Sequence, residues 1–134
     1  MDEEIQEQRR YKRFYFSVED GLVGVFRIGK KQNINASIMN LSAGGLFFVL
    51  EKNVTKKINV GQRVLLKEVL GDERLDFLRG IEMEIRWMAE INGLNHTGYG
   101  CEFLNVTKEA REKISEFVDF EILLKGQHDK RQRS

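Results

Sequence analysis

The feature that most restricts the fold is a two-residue period that recurs along the chain between glycine- and asparagine-rich breaks. Ile34, Ala36 and Ile38 alternate with Asn35 and Ser37; Ile81, Met83 and Ile85 alternate with Glu82 and Glu84; Tyr99, Cys101 and Phe103 alternate with Gly100 and Glu102. Successive side chains of an extended chain point to opposite faces, so each run reads as a strand with one buried and one wetted face. Residues 22–28, 46–50 and 63–70 add strands rich in branched and aromatic side chains, and Phe14, Phe16 and Val18 alternate ahead of them. Trp87-Met88-Ala89 prolongs the strand begun at Ile81; Trp87 is suited to stacking on a planar ligand ring, yet its patterned setting favours the core. Turn signals separate the runs at Glu19-Asp20-Gly21, Gly29 to Asn33, Val60-Gly61-Gln62, Gly71-Asp72-Glu73 and Asn92 to His96, and the chain has no proline. Strands at this spacing predict a mainly all-β chain closed, or nearly closed, into an antiparallel barrel.

The period changes once. After Thr107, a suitable N-cap, Ala110, Ile114, Phe117, Val118, Phe120, Ile122 and Leu124 recur at helical spacings until Gly126, a suitable C-terminal stop. This predicts one amphipathic helix, with Glu109–Lys113 and Glu121–Lys125 as favourably ordered pairs four residues apart. The chain has 134 residues, enough to bury a single core. Residues 1–13 are polar and aperiodic and read as a flexible arm, 14–126 as the barrel with its helix, and 127–134 as a disordered basic tail.

Charge sets limits on partners. The 22 basic and 21 acidic residues leave a net charge of +1, so no global field compels a nucleic-acid or membrane partner. Anion binding would have to come from a local cluster, and one exists at Arg9-Arg10-Tyr11-Lys12-Arg13. Such a run is either a solvated loop or a place where negative charge is met. The single cysteine, Cys101, excludes an internal disulfide framework and a cysteine-rich zinc site and fits a reducing compartment. The acidic start Met1-Asp2-Glu3-Glu4 is unlike a secretion signal, and no apolar run approaches the roughly 18 residues of a membrane span, so a cytoplasmic location is expected.

No catalytic constellation stands out. His96 lies in a turn-rich stretch and His128 in the tail, both read as solvent-exposed, and Cys101 alternates inward as a buried, inert thiol. The chain is therefore not expected to be an enzyme or to carry a metal. Asn40-Leu41-Ser42-Ala43-Gly44-Gly45 admits two readings. In an extended segment Asn40 and Ser42 share one face, supplying donors and acceptors, while the glycines bare the backbone; yet Asn, Ser and Gly are also the common turn formers.

Together these two stretches resemble the PilZ domain family, whose signature is Arg-x-x-x-Arg followed at a distance by Asp/Asn-x-Ser-x-x-Gly. Arg9 to Arg13 fits the first part and Asn40 to Gly45 the second, while Ile85-Arg86-Trp87, Tyr99 to Phe103 and the closing helix are similar to that family's C-terminal half. The resemblance spans roughly residues 8 to 125. It implies a six-stranded antiparallel split barrel with a C-terminal helix, and a receptor for the bacterial second messenger cyclic di-GMP; a lone receptor domain acts by presenting a changed surface, so a downstream protein partner is expected. It further implies that Arg9 and Arg13 grip phosphates and guanine edges, that Asn40 and Ser42 bond the ligand from the barrel, and that Gly45 leaves room for close approach. Arg10 is an auxiliary cation. Gln8 stands where some relatives carry a further arginine linked to a stacked ligand pair, which favours a single bound molecule. Two rival functions remain open on the sequence: a barrel binding single-stranded nucleic acid, disfavoured by the near-neutral charge, and a nucleotide-independent interaction module.

Overall fold

Asn, Gly and charged residues interrupt the alternating runs, which lets most consecutive strands turn back on one another as antiparallel neighbours. A computed structural model describes residues 11–30, 32–51, 58–91 and 95–126. Its strands are β1 (Arg13–Tyr15), β2 (Val23–Ile28), β3 (Gln32–Ser42), β4 (Gly45–Glu51), β5 (Arg63–Leu70), β6 (Ile81–Ile91) and β7 (His96–Phe103), and the helix α1 is Lys108–Lys125.

Six strands close in the order β3-β2-β5-β6-β7-β4, with β4 returning to pair with β3, and every pairing is antiparallel. This is the expected six-stranded barrel. β1 is a seventh, short strand. It takes the β3 edge beyond the point where β2 leaves it: β2 pairs with Gln32 to Ser37 and β1 with Asn40 to Ser42. The bonds Ile38 N–H to Leu22 C=O (3.0 Å) and Phe16 N–H to Met39 C=O (2.9 Å) bridge the changeover. Val18 therefore leaves the strand and enters a short 3-10 turn, Val18–Asp20, where its side chain is exposed.

The inward positions fill the barrel. Phe26 stacks on Phe48 at 4.3 Å between centroids, Phe48 meets Tyr99 at 5.3 Å, and Leu66, Met83 and Ile85 are fully buried around them. A 3-10 segment, Glu73–Leu78, which turn chemistry alone did not predict, buries Leu75 and Leu78. It is capped by Asp72, whose carboxylate accepts from the Arg74 N–H.

α1 begins and ends as its caps require: the Thr107 hydroxyl accepts from the Ala110 N–H at 3.0 Å, and Gly126 takes a left-handed φ of 71°. Its inner face, Ile114, Phe117, Val118 and Ile122, packs over β1 and β3, with Phe16 6.3 Å from Phe117 between ring centroids. The predicted helix-surface pairs do not form. Glu121 is buried and accepts from the Arg74 guanidinium at 2.8 Å, Lys125 reaches Asp20 at 4.0 Å, and the Lys113 ammonium lies over the Phe77 ring. An inward-facing carboxylate takes the nearest cation the tertiary fold offers, and here that is not its neighbour one turn on. Phe120 and Leu124, counted in the apolar periodicity, are exposed.

Candidate functional site

β3 changes phase halfway along. Ile34, Ala36 and Ile38 point into the barrel at even positions, so a regular strand would send Asn40 and Ser42 inward as well. A β-bulge between Ile38 and Asn40 inserts Met39 as an extra residue against β4. It transfers the inward position to Leu41, which is buried, and turns Asn40 and Ser42 to the opposite face. Both sequence readings of Asn40 to Gly45 are then partly right: Asn40 to Ser42 is strand, and Ala43-Gly44 is the turn.

Ser42 serves that turn. Its hydroxyl accepts from the Gly44 N–H at 3.1 Å and donates to the Gly45 carbonyl at 3.4 Å. Asn40 is half-buried, and its carboxamide has no hydrogen-bond partner among the described residues. β1 lies against this face with Arg13 opposite Ser42 and Tyr15 opposite Asn40. The half-buried Arg13 guanidinium has no ion pair among the described residues. The structure therefore brings Arg13, Asn40 and Ser42 together, and leaves on two of them hydrogen-bonding capacity that the fold itself does not use. Gln8, Arg9 and Arg10 lie outside the described residues.

Two neighbours of Arg13 are engaged elsewhere. Lys12 pairs with Asp119 of α1 at 3.1 Å. Tyr11 packs on Gly44, where an added methyl would stand 2.8 Å from the ring, and the Arg111 guanidinium lies 5.5 Å from the Tyr11 ring centroid. The root of the arm is thus wedged between the 43–44 turn and α1. Gly45 has a packing role of its own: a methyl there would overlap the Cys101 carbonyl oxygen on β7.

An aromatic platform adjoins this face. Across the sheet, Asn40 is paired with Phe47, Phe47 with Gly100, and Gly100 with Trp87. Phe47 and Trp87 stack at 5.0 Å and 19°, lying over the bare backbone of Gly98 and Gly100. The preference for Trp87 in the core is overturned, since the residue is 45% exposed. A second bulge, between Ile85 and Trp87, is the cause: it flips β6 just as Met39 flips β3. The spacing Gly98-x-Gly100 carried a usable signal, because two glycines on one strand face leave room for large side chains from the neighbouring strands.

The face thus offers a planar cationic fork, a free carboxamide and an exposed aromatic surface, a set suited to a planar hydrogen-bonding ring bearing an anion. Catalytic chemistry has less support. His96 opens β7 opposite Glu51, rather than lying in the turn, and its Nδ1 is buried without a partner among the described residues. Burial pushes the Cys101 thiol up to about 12, which leaves it protonated and inert at neutral pH. Among the described residues no cluster of three His, Cys, Asp or Glu lies close enough to hold a metal, and no helix is long and apolar enough to cross a membrane.

A family profile described as PilZ domain matches residues 7–120. Among solved structures, the PilZ domain with c-di-GMP of YcgR from Escherichia coli is 17% identical with a TM-score of 0.63, covering 92% of this chain and 97% of that one. The K. pneumonia MrkH–c-di-GMP complex is 18% identical with a TM-score of 0.68, over 90% of this chain and 55% of that one. The Bacillus subtilis inhibitor of motility MotI/DgrA is 20% identical with a TM-score of 0.63, over 88% and 52%. The chain therefore spans about half the length of these last two proteins. A search of curated proteins gave no match.

Proposed function

The chain belongs to the PilZ domain family, and on that premise we propose that it is a cytoplasmic, non-catalytic receptor for cyclic di-GMP that passes the signal to a partner protein. The observation that carries this reading is the β1–β3 register, which sets Arg13 opposite Ser42 and on the same face as Asn40, with guanidinium and carboxamide both without a partner among the described residues. Solved structures of the same fold named as c-di-GMP complexes, from YcgR and MrkH, support it. Arg9 and Arg13 hold phosphate oxygens and guanine edges, because a guanidinium presents paired donors to either. Asn40 and Ser42 bond the ligand from the barrel face, Gly45 keeps the backbone open, and Arg10 adds charge. The Phe47–Trp87 pair is the stacking surface for a base. Gln8 in place of a further arginine favours one ligand molecule. Ahead of its docked root at Tyr11 to Arg13, the arm passes from a loose to an ordered state on binding, drawn by the ligand's higher affinity for the ordered form.

Calorimetric titration with cyclic di-GMP tests this. Arg13→Ala removes charge-assisted hydrogen bonds worth roughly 1.5–3 kcal/mol, about 10- to 100-fold in Kd. Tight binding that survives Arg13→Ala would remove Arg13 from the site. No binding by the parent chain, or preference for a single-stranded oligonucleotide with steep salt dependence, would overturn the function.

A further inference from the structure

The outer face of α1 has a composition that neither the fold nor the ligand site requires. Glu109, Glu112, Glu116 and Asp119 follow one another at spacings of three or four, all exposed, and Phe120, Leu123 and Leu124 continue the same face. Those three apolar side chains are 54%, 71% and 63% exposed. They lie on the side of the helix away from Ile114, Val118 and Ile122, and none of the described barrel residues covers them. Of the four carboxylates only Asp119 has an ion pair among the described residues, with Lys12 of the arm root. Of the two cations that flank the row, Lys113 is drawn aside over Phe77 and Lys108 stands in the first turn, at the far end from the apolar side chains.

We infer that this face docks a basic amphipathic helix of a partner protein. Its apolar side chains would seat on Phe120, Leu123 and Leu124, and its lysines or arginines would meet Glu112, Glu116 and Asp119. Charge complementarity selects this occupant. An anionic membrane surface is repelled by the acidic row. The flanking segments of this sequence do not suit the face either: residues 1–10 carry Asp2, Glu3, Glu4 and Glu7, and residues 127–134 contain no apolar side chain. A second copy offers on this face an acidic row of its own and no matching row of cations. The Lys12–Asp119 pair joins the rim of this surface to the residue beside Arg13, so a rearrangement of the arm changes the charge the partner meets. The inference rests on the receptor reading only for that coupling; the surface stands without it.

The test uses the full chain and a fluorescein-labelled peptide of roughly 18 residues, five helical turns, with leucines at i, i+3, i+4 and i+7 and lysines on the flanks. An isomer with glutamates for lysines is the control, and anisotropy gives Kd. Binding of the basic peptide alone is expected, weakened at least about tenfold by Leu123→Ser or Phe120→Ser and to a similar degree by Glu112→Lys/Glu116→Lys, each step of tenfold being about 1.4 kcal/mol. Equal binding by all variants, or none by the parent, overturns the inference. So does a dimer in sedimentation that Leu123→Ser dissociates, which makes a second copy the occupant, or binding to phosphatidylserine vesicles that the same change abolishes. Calorimetry with cyclic di-GMP runs in parallel: peptide lost and nucleotide kept in Leu123→Ser supports a separate docking face. Peptide binding without any nucleotide binding by the parent supports the face and removes only the receptor reading.

Discussion

Replacing Gly45 with alanine separates two reasons for a glycine at one position. If its purpose is room for the ligand, Gly45→Ala should fold normally and bind poorly. The packing argues for a structural role as well. The new methyl would overlap the Cys101 carbonyl, with Glu102 Cα close behind, and both are backbone, so no side chain can rotate away. β4 and β7 must part where Gly45 faces Glu102, next to the ladder bond from the Phe103 N–H to the Gly44 carbonyl at 2.9 Å. Overpacking of this kind costs roughly 1–3 kcal/mol, and a weakened ladder bond adds about 0.5–1.5 kcal/mol. Together these give about 1.5–4.5 kcal/mol, which at about 4 °C per kcal/mol for a chain of this size lowers Tm by about 6–18 °C. Urea denaturation followed by far-UV circular dichroism measures it, with Gly44→Ala as the comparison. At Gly44 the obstacle is the Tyr11 ring, which can swing aside, so the loss there is smaller. A Gly45→Ala protein with the parent's urea midpoint and reduced nucleotide affinity would refute the packing argument.

Three further outcomes follow from the polar groups. Arg74 joins Asp72 and the buried Glu121, so Arg74→Met, which strands the Glu121 carboxylate, should cost about 2–4 kcal/mol in a denaturation experiment. Glu121→Leu leaves Arg74 half in water and still bonded to Asp72, and should cost less than about 1 kcal/mol; the reverse order would refute this reading. The Arg74 hydrogen bonds hold the Asp72 carboxyl below its ordinary value of 3.8, so its contribution is complete above that pH and fades as pH falls through the lower folded pKa. Acid unfolding of Asp72→Asn should show a shallower fall across that window. Finally, burial raises the Cys101 thiol to about 12, so a thiol reagent at pH 8 should label it only once denaturant opens the barrel.

Much was legible in the residues alone. The branched run at 63–70 is the strand β5, the alternations at 81–85 and 99–103 lie within β6 and β7, and Thr107 and Gly126 bracket α1, because side-chain direction and helix capping depend on neighbours a few positions away. The polar face of Asn40 and Ser42 was also readable, from Leu41 between them. Its orientation was not, nor was that of Trp87. Each depends on a bulge, and a bulge exists only relative to the partner strand, which local pattern does not specify. The same holds for Glu121, whose partner Arg74 is 47 residues away in sequence. The sequence by itself determined most of the strands, the two caps of α1 and the polar and cationic residue types at Arg13, Asn40 and Ser42. Only the tertiary structure decided which way they face and which charges remain unspent, because register and packing are set by contacts between strands distant in the chain.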